Sequence, residues 1–309
     1  MLGRKSLLSL VIIALLAGFP SGISAKEREP ELLMPLGPWQ LDMGEHRCRL
    51  ARLFGSDEEK TIFMLDQWGP SSSAQWAVAG PQVRDIKKTG RATFEFGPGG
   101  DGEEFRYTGA TLDNYGAVIG GTTTVAATPE VEEGAEERDW NTDPREIPAL
   151  DAEAADSIDR LAIDQRGSTS FALRLGSLQK PIQALNLCIE NLVESWGFDV
   201  EEQRAVAIPP KITNLDVVAN RIMREYPAEA LRKGAQADFH LRVNVGDDGR
   251  IEDCTLLNQT LAKDFDMKRH PCTVFQSHAK IEPALTISGN PVRSFYTTRI
   301  VYRMNGNAP

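Results

Sequence analysis

Between Trp39 and Thr124 the apolar residues fall in short runs separated by turn-forming residues: Arg49 to Phe54, Thr61 to Gln67, Gln75 to Ala79, Arg91 to Phe96, Glu104 to Thr108 and Ala117 to Gly120. Closely spaced short strands of this kind predict an antiparallel sandwich or barrel. Phe94 and Phe96, then Phe105 and Tyr107, alternate with polar neighbours around Gly97-Pro98-Gly99-Gly100-Asp101-Gly102, which reads as a hairpin. Ser168 to Leu175 reads as a further strand. Ser177 then supplies an N-cap for a helix to about Trp196, where Leu178, Ile182, Leu185, Ile189, Leu192 and Trp196 form one apolar stripe at helical spacing. Gly197 ends that helix, and Trp196 is expected in the core rather than as a ligand platform.

The period changes again in the last third of the chain. Ala207-Ile208-Pro209-Pro210 interrupts regular structure, and Asn214 or Asp216 can cap an amphipathic stretch ending near Tyr226. Phe239, Leu241, Val243 and Val245 then face one way while His240, Arg242 and Asn244 face the other, the pattern of a half-buried strand. Asp248-Gly249 provides the positive backbone angles of a tight turn, Ile251 returns as a partner strand, and Val292 to Tyr302 supplies a third. Pro271 is expected in the first turn of a short helix to His278, where its missing N–H costs nothing. The fold class is therefore α+β: a mainly-β, sandwich- or barrel-like N-terminal domain with a packed helix, then a small αββαβ domain.

Several blocks of this second part, in order, resemble the C-terminal domain of TonB-family proteins. They are Tyr226-Pro227-Ala228-Glu229-Ala230, Phe239 to Val245 with the turn ending at Gly249, Ile251 to Leu257, Phe265-Asp266, Ile281-Glu282-Pro283-Ala284, Gly289-Asn290-Pro291-Val292 and Phe295 to Tyr302. Ala237 stands where the family often has Gly, and Lys268-Arg269-His270-Pro271 lengthens the approach to the second helix. The resemblance implies structural roles for Tyr226, Pro227, Gly249, Asp266, Pro283, Ala284, Gly289 and Pro291. It also implies a module that offers a sheet edge to an extended segment of an envelope protein, in the family the plug-side segment of an outer-membrane transporter. The long Pro-rich spacer of an energy transducer is missing. Around Cys48-Arg49-Leu50-Ala51-Arg52-Leu53-Phe54-Gly55 and the helix with Cys188, the N-terminal region faintly resembles the domain that precedes this module in some alphaproteobacterial envelope proteins.

Arg4 and Lys5 precede an apolar run from Leu7 to Phe19, followed by Pro20 and small residues to Ala25. That layout is a secretory signal peptide, and the run is shorter than the roughly twenty residues a membrane-spanning helix needs. An uncleaved inner-membrane anchor is the weaker reading. The organisation expected is a signal peptide at 1–25, a mainly-β domain at 26–200 with an acidic loop at 129–148, a linker at 201–215 and the TonB-type domain at 216–309, giving a periplasmic protein.

Export sets the reading of Cys48, Cys188, Cys254 and Cys272, which are expected as disulfides. Three pairings are open; one pair within each domain favours Cys48 with Cys188 and Cys254 with Cys272. Some relatives in the TonB family place cysteines where Cys254 and Cys272 stand. No C-x-x-C pair offers zinc or redox spacing. The net charge of −10 and the absence of a basic cluster argue against nucleic acid. Glu130 to Asp139 has no regular calcium-loop spacing and reads as a solvated loop. Gly97 to Gly102 satisfies G-x-G-x-x-G, but a strand follows it where a phosphate-binding helix is needed. His46, His240, His270 and His278 form no metal or catalytic constellation. No cofactor and no enzyme activity are expected.

The function expected is a binding module, with an envelope structural or assembly scaffold as the alternative. Val292, Arg293, Tyr296, Thr298, Arg299 and Tyr302 are expected on a partner-binding edge strand, with Arg293, Arg299 and Arg303 favouring an acidic peptide. Pro at Thr298 would remove a main-chain donor from that edge. Pairing with a second copy of the chain, or cover by the tail Asn305 to Pro309, competes for it.

Overall fold

The computed structural model describes residues 30–84, 86, 91–97, 103–106, 110–125, 147–165, 170–233, 237–257 and 271–302. The expected signal peptide, residues 129–146 of the acidic loop, Asp266, His270, Arg303 and the tail lie outside the described residues.

The N-terminal part runs β1 (Glu31–Leu33), β2 (Gln40–Met43), β3 (Cys48–Gly55), β4 (Lys60–Gln67), β5 (Ala74–Ala79), α1 (Pro81–Arg84), β6 (Arg91–Phe96), β7 (Glu103–Arg106), β8 (Ala110–Leu112), β9 (Gly116–Thr123), β10 (Arg160–Asp164), β11 (Ser170–Arg174) and α2 (Gln179–Ser195). Two sheets form, in the orders β2-β3-β4-β5-β9-β8 and β1-β11-β10-β6-β7. Their inner faces are apolar, as alternation along each strand requires. Trp76 on β5 meets Phe94 on β6 with ring centroids 5.1 Å apart, and Phe63 on β4 meets Phe96 at 6.2 Å. The sandwich expected from the sequence is thus two sheets sharing one aromatic core.

Helix α2 buries Ile182, Leu185, Cys188, Ile189, Leu192 and Val193 in that same core. Its N-cap position is Leu178, one residue later than expected; Ser177 donates its hydroxyl to Asp156 Oδ1 at 2.6 Å, and its oxygen accepts from Gln179 N at a long 3.4 Å. A hydroxyl donates and accepts at once, so the charge-assisted bond to Asp156 coexists with this weak capping contact. A disulfide joins Cys48 on β3 to Cys188 on α2, across 140 residues of sequence. Closing a loop of that length is worth about 5 kcal/mol in the chain-entropy account.

Next come α3 (Val200–Arg204), β12 (Val206–Ile208), β13 (Lys211–Ile212), α4 (Leu215–Arg224), α5 (Ala228–Lys233), β14 (Ala237–Val245), β15 (Ile251–Leu256), α6 (Pro271–His278), β16 (Ile281–Glu282), β17 (Ala284–Thr286), β18 (Pro291–Val292) and β19 (Ser294–Tyr302). The main C-terminal sheet has the order β15-β14-β19. Phe239, Leu241, Val243 and Val245 pack with Val218 and Ile222 of α4 and Val274 and Phe275 of α6 in a second core. A disulfide joins Cys254 on β15 to Cys272 on α6. Gly249 turns β14 into β15 with φ +78°, and a Cβ there would lie 2.5 Å from Ile281 O, so both angle and space require glycine.

Two expectations change here. The stretch 201–215 is not a free linker: β12 pairs with β17 and β13 with β16, tying it to the C-terminal unit. Pro209-Pro210 separates the two short strands, which can each pair because neither contains a proline. Asn214 stands at the start of α4 but makes no side-chain cap; its amide donates to His278 O and accepts from Lys280 N, both at 2.8 Å.

A candidate partner edge and the seam beside it

The hydrogen-bond phase of β14 decides what β19 presents. Leu257 N–H donates to His240 O at 2.8 Å, so His240 turns its main chain toward β15. Antiparallel ladders alternate. Arg242 and Asn244 follow His240, while Leu241, Val243 and Val245 bond to Thr298, Tyr296 and Ser294, their register partners on β19. The main-chain groups of Phe295 and Thr297 therefore point away from the sheet, and among the described residues no strand pairs with that outer edge.

This sorts the expected edge residues. Thr298 and Tyr296 spend their main-chain groups inward on β14, so proline at Thr298 breaks the sheet rather than the edge; Thr297 is the position that tests the edge. Val292 belongs to β18, where it pairs with Ala284, and is buried. Tyr302 is also buried, its ring 4.9 Å from that of Tyr226 in an edge-on contact. Arg299 is exposed and lies opposite His240.

Arg293 is not a cation offered to a partner. Its Nε bonds Glu252 Oε2 at 2.6 Å, its Nη1 bonds Gly197 O at 2.9 Å, and the guanidinium lies 4.2 Å over the Phe198 ring. Gln203 Nε2 donates to Arg293 O at 2.9 Å. These contacts end β18 and start β19 separately, which is why the strand expected from Val292 begins at Ser294.

The same clasp belongs to a seam between the two parts of the chain. His240 stacks on Trp68 with centroids 4.8 Å apart and shares a hydrogen bond of 3.1 Å with Gln75 Nε2. Arg242 sits 4.5 Å over Trp196, with Nε to Asn244 Oδ1 at 3.0 Å and Nη2 to Thr255 Oγ1 at 3.1 Å. Burial pulls the Arg242 pKa below its ordinary value, opposed by the nearby Asp253 carboxylate. Phe295 meets Trp196 and Phe198 edge-on, each at 5.2 Å. A Cβ at Gly69 would stand 3.2 Å from Thr297 Cγ2 and 3.3 Å from Trp196 Cη2, so the loop after β4 lies hard against β19. His240, Arg242 and Asn244, expected on an open face, are all buried.

The motif residues of the C-terminal unit take structural places. Pro227 precedes α5, Ala284 is fully buried on β17 beside Pro283, and Gly289 turns at φ +78° before Pro291 on β18.

Residues 223–304 match the family model for the Gram-negative bacterial TonB protein C-terminal. The C-terminal unit is thus a TonB C-terminal domain. Everything before residue 223, including Trp68, Trp196 and Gln203 of the seam, lies outside that match. No curated protein and no solved structure matches the chain.

The seam is not legible in the sequence because each half of it looks ordinary alone. The available signal was an Arg and a His on one strand face in a chain that also holds a Trp-Gly-Pro loop and a helix-ending Trp. Among the described residues no group of three or more His, Cys, Asp or Glu side chains could hold a metal ion, and no helix is long and apolar enough to cross a membrane.

Proposed function

We propose that this chain is an exported, periplasmic binding protein whose TonB C-terminal domain takes an extended segment of an envelope protein along the outer edge of β19. The observation that carries this reading is the main-chain phase of β19, which directs the N–H and C=O groups of Phe295 and Thr297 outward. An unpaired edge supplies affinity through main-chain bonds. The family match favours an outer-membrane transporter segment as the partner class. The apolar run after Arg4 and Lys5 supports export. A binding role, not catalysis, is what the family and the edge support.

A paired substitution tests it. Thr297→Pro removes an outward N–H and Thr298→Pro an inward one, with cross-linking in intact cells read beside circular dichroism. Thr297→Pro is expected to lose the partner and keep the fold, whereas Thr298→Pro loses fold first. Retention of every partner by folded Thr297→Pro overturns edge pairing.

The seam favours a second reading, an assembly scaffold that holds its two domains at a set angle. Partners that depend on both domains and not on Thr297 would point to it.

A further inference from the structure

A cavity of about 290 Å³ opens beside the first half of β19. Ser294, Phe295, Tyr296 and Thr297 line it in unbroken succession. Successive strand side chains point to opposite faces, so a cavity that meets four in a row meets the strand's edge.

The far wall does not come from the TonB C-terminal domain. Pro70 comes from the loop after β4, Ile147 and Pro148 from the segment before β10, and Val206 and Pro210 from between α3 and β13. These side chains are carbon surfaces. Two of its polar side chains are engaged with each other and with the strand: Ser294 donates its hydroxyl to Gln203 Oε1 at 2.7 Å, and Gln203 Nε2 donates to Arg293 O at 2.9 Å. Against this wall of proline and aliphatic carbon a polar side chain would give up its water for few partners, while an apolar one removes carbon surface from water on both sides.

Building on edge pairing, we propose that this cavity is the specificity pocket for the bound segment. An extended envelope-protein peptide adds to β19 through the Phe295 and Thr297 main chains and seats one aliphatic or aromatic side chain against Pro70, Val206 and Pro210. The edge accepts any extended chain; the rest of the protein, outside the family match, chooses among them. The pocket and the edge are continuous, because Thr297 and its neighbours form part of both.

The test uses the full mature chain and a fluorescein-labelled host peptide of alternating Thr and Glu, with one guest residue, Leu or Ser, walked along it. Fluorescence anisotropy should find a guest position where Leu binds about tenfold or more tighter than Ser. Pro148→Ser, at an exposed loop position, and Val206→Ser should each cut the Leu-over-Ser preference at that position, with circular dichroism showing that the variants are folded; an undiminished preference in both folded variants overturns the pocket. Thr297→Pro should abolish binding of both peptides. Equal binding of Leu and Ser peptides at every position, still sensitive to Thr297→Pro, overturns the pocket and leaves edge pairing standing. Absence of binding to the unaltered chain, or binding that survives Thr297→Pro, overturns both.

Discussion

The two faces of β14 are both buried, by opposite means. Phe239, Leu241, Val243 and Val245 lie against α4 and α6, where their stabilisation comes from apolar surface removed from water. His240, Arg242 and Asn244 lie against Trp68, Gln75 and Trp196, where it comes from π faces and directed bonds. Period-two alternation therefore reports two different neighbours, not a neighbour and solvent. A polar strand face can be an internal joint when aromatic side chains elsewhere in the chain are placed to meet it.

The apolar face should give the larger response. Leu241→Ala opens a cavity in a fully buried position and is expected to cost about 2–5 kcal/mol, read by urea unfolding. A loss under about 1 kcal/mol would mean that the helices collapse onto the gap and that the face is loosely packed. Next in size is the staple beneath it. Replacing Cys254 and Cys272 together by Ala releases a loop closed across 18 residues of sequence, a change of about 3 kcal/mol in the chain-entropy account. Non-reducing peptide mapping of the unaltered protein checks that the bridge forms, and Trp196 fluorescence should not move, because the staple serves the other face.

The polar face should respond less in stability and more in geometry. Arg242→Met keeps much of the side chain's volume and removes the cost of burying a charge, but it loses the Trp196 stack and leaves Asn244 Oδ1 without its donor. The expected net loss is about 1 kcal/mol, since the cation–π term of roughly 0.5–2 kcal/mol is partly offset by relieved desolvation. Trp196 emission should shift and the seam should become open to protease. No change in either would show that the seam does not depend on this contact.

Legibility in the sequence followed the range of the forces. The short apolar runs of β3 and β4 between turn residues, the alternation of β14 and the α2 stripe could be read from local pattern alone, as could Pro271 at the first turn of α6. Strand β10 was missed because Arg160-Leu161-Ala162-Ile163-Asp164 is short and has no turn signal of its own, though β6 and β11 pair with it on both sides. The division of Val292 from β19 depends on Gln203 and Gly197, some ninety residues away in sequence, and no local pattern carries it. The edge itself was legible, but its phase was not: whether Thr297 or Thr298 faces outward depends on which residues of β14 bond to β15. The cavity wall was the least legible, since Pro70, Pro148 and Pro210 read singly as turn punctuation.

The smallest effect at neutral pH should come from Tyr302, where the apolar face closes over the end of β19. Its ring meets those of Tyr226 and Phe239, and its hydroxyl donates to Ile222 O at a long 3.4 Å. Burial, aided by the Glu225 carboxylate and Tyr226, pushes its pKa up to about 12, against about 10 in an unfolded chain. Between those values the folded protein keeps a proton that the unfolded chain releases, so folding takes up protons and stability falls as pH rises from about 10 to about 12. Below pH 10 this group contributes its full stabilisation. Tyr302→Phe keeps the ring packing and should cost no more than about 1 kcal/mol at pH 7, while flattening the alkaline fall in urea midpoint. A weaker fall should remain, because burial also raises the pKa of Tyr226. Tyrosinate absorbance followed through the same range gives the independent reading, and an unchanged alkaline slope in Tyr302→Phe would place the titrating group elsewhere, with Tyr226 beside it as the next to replace.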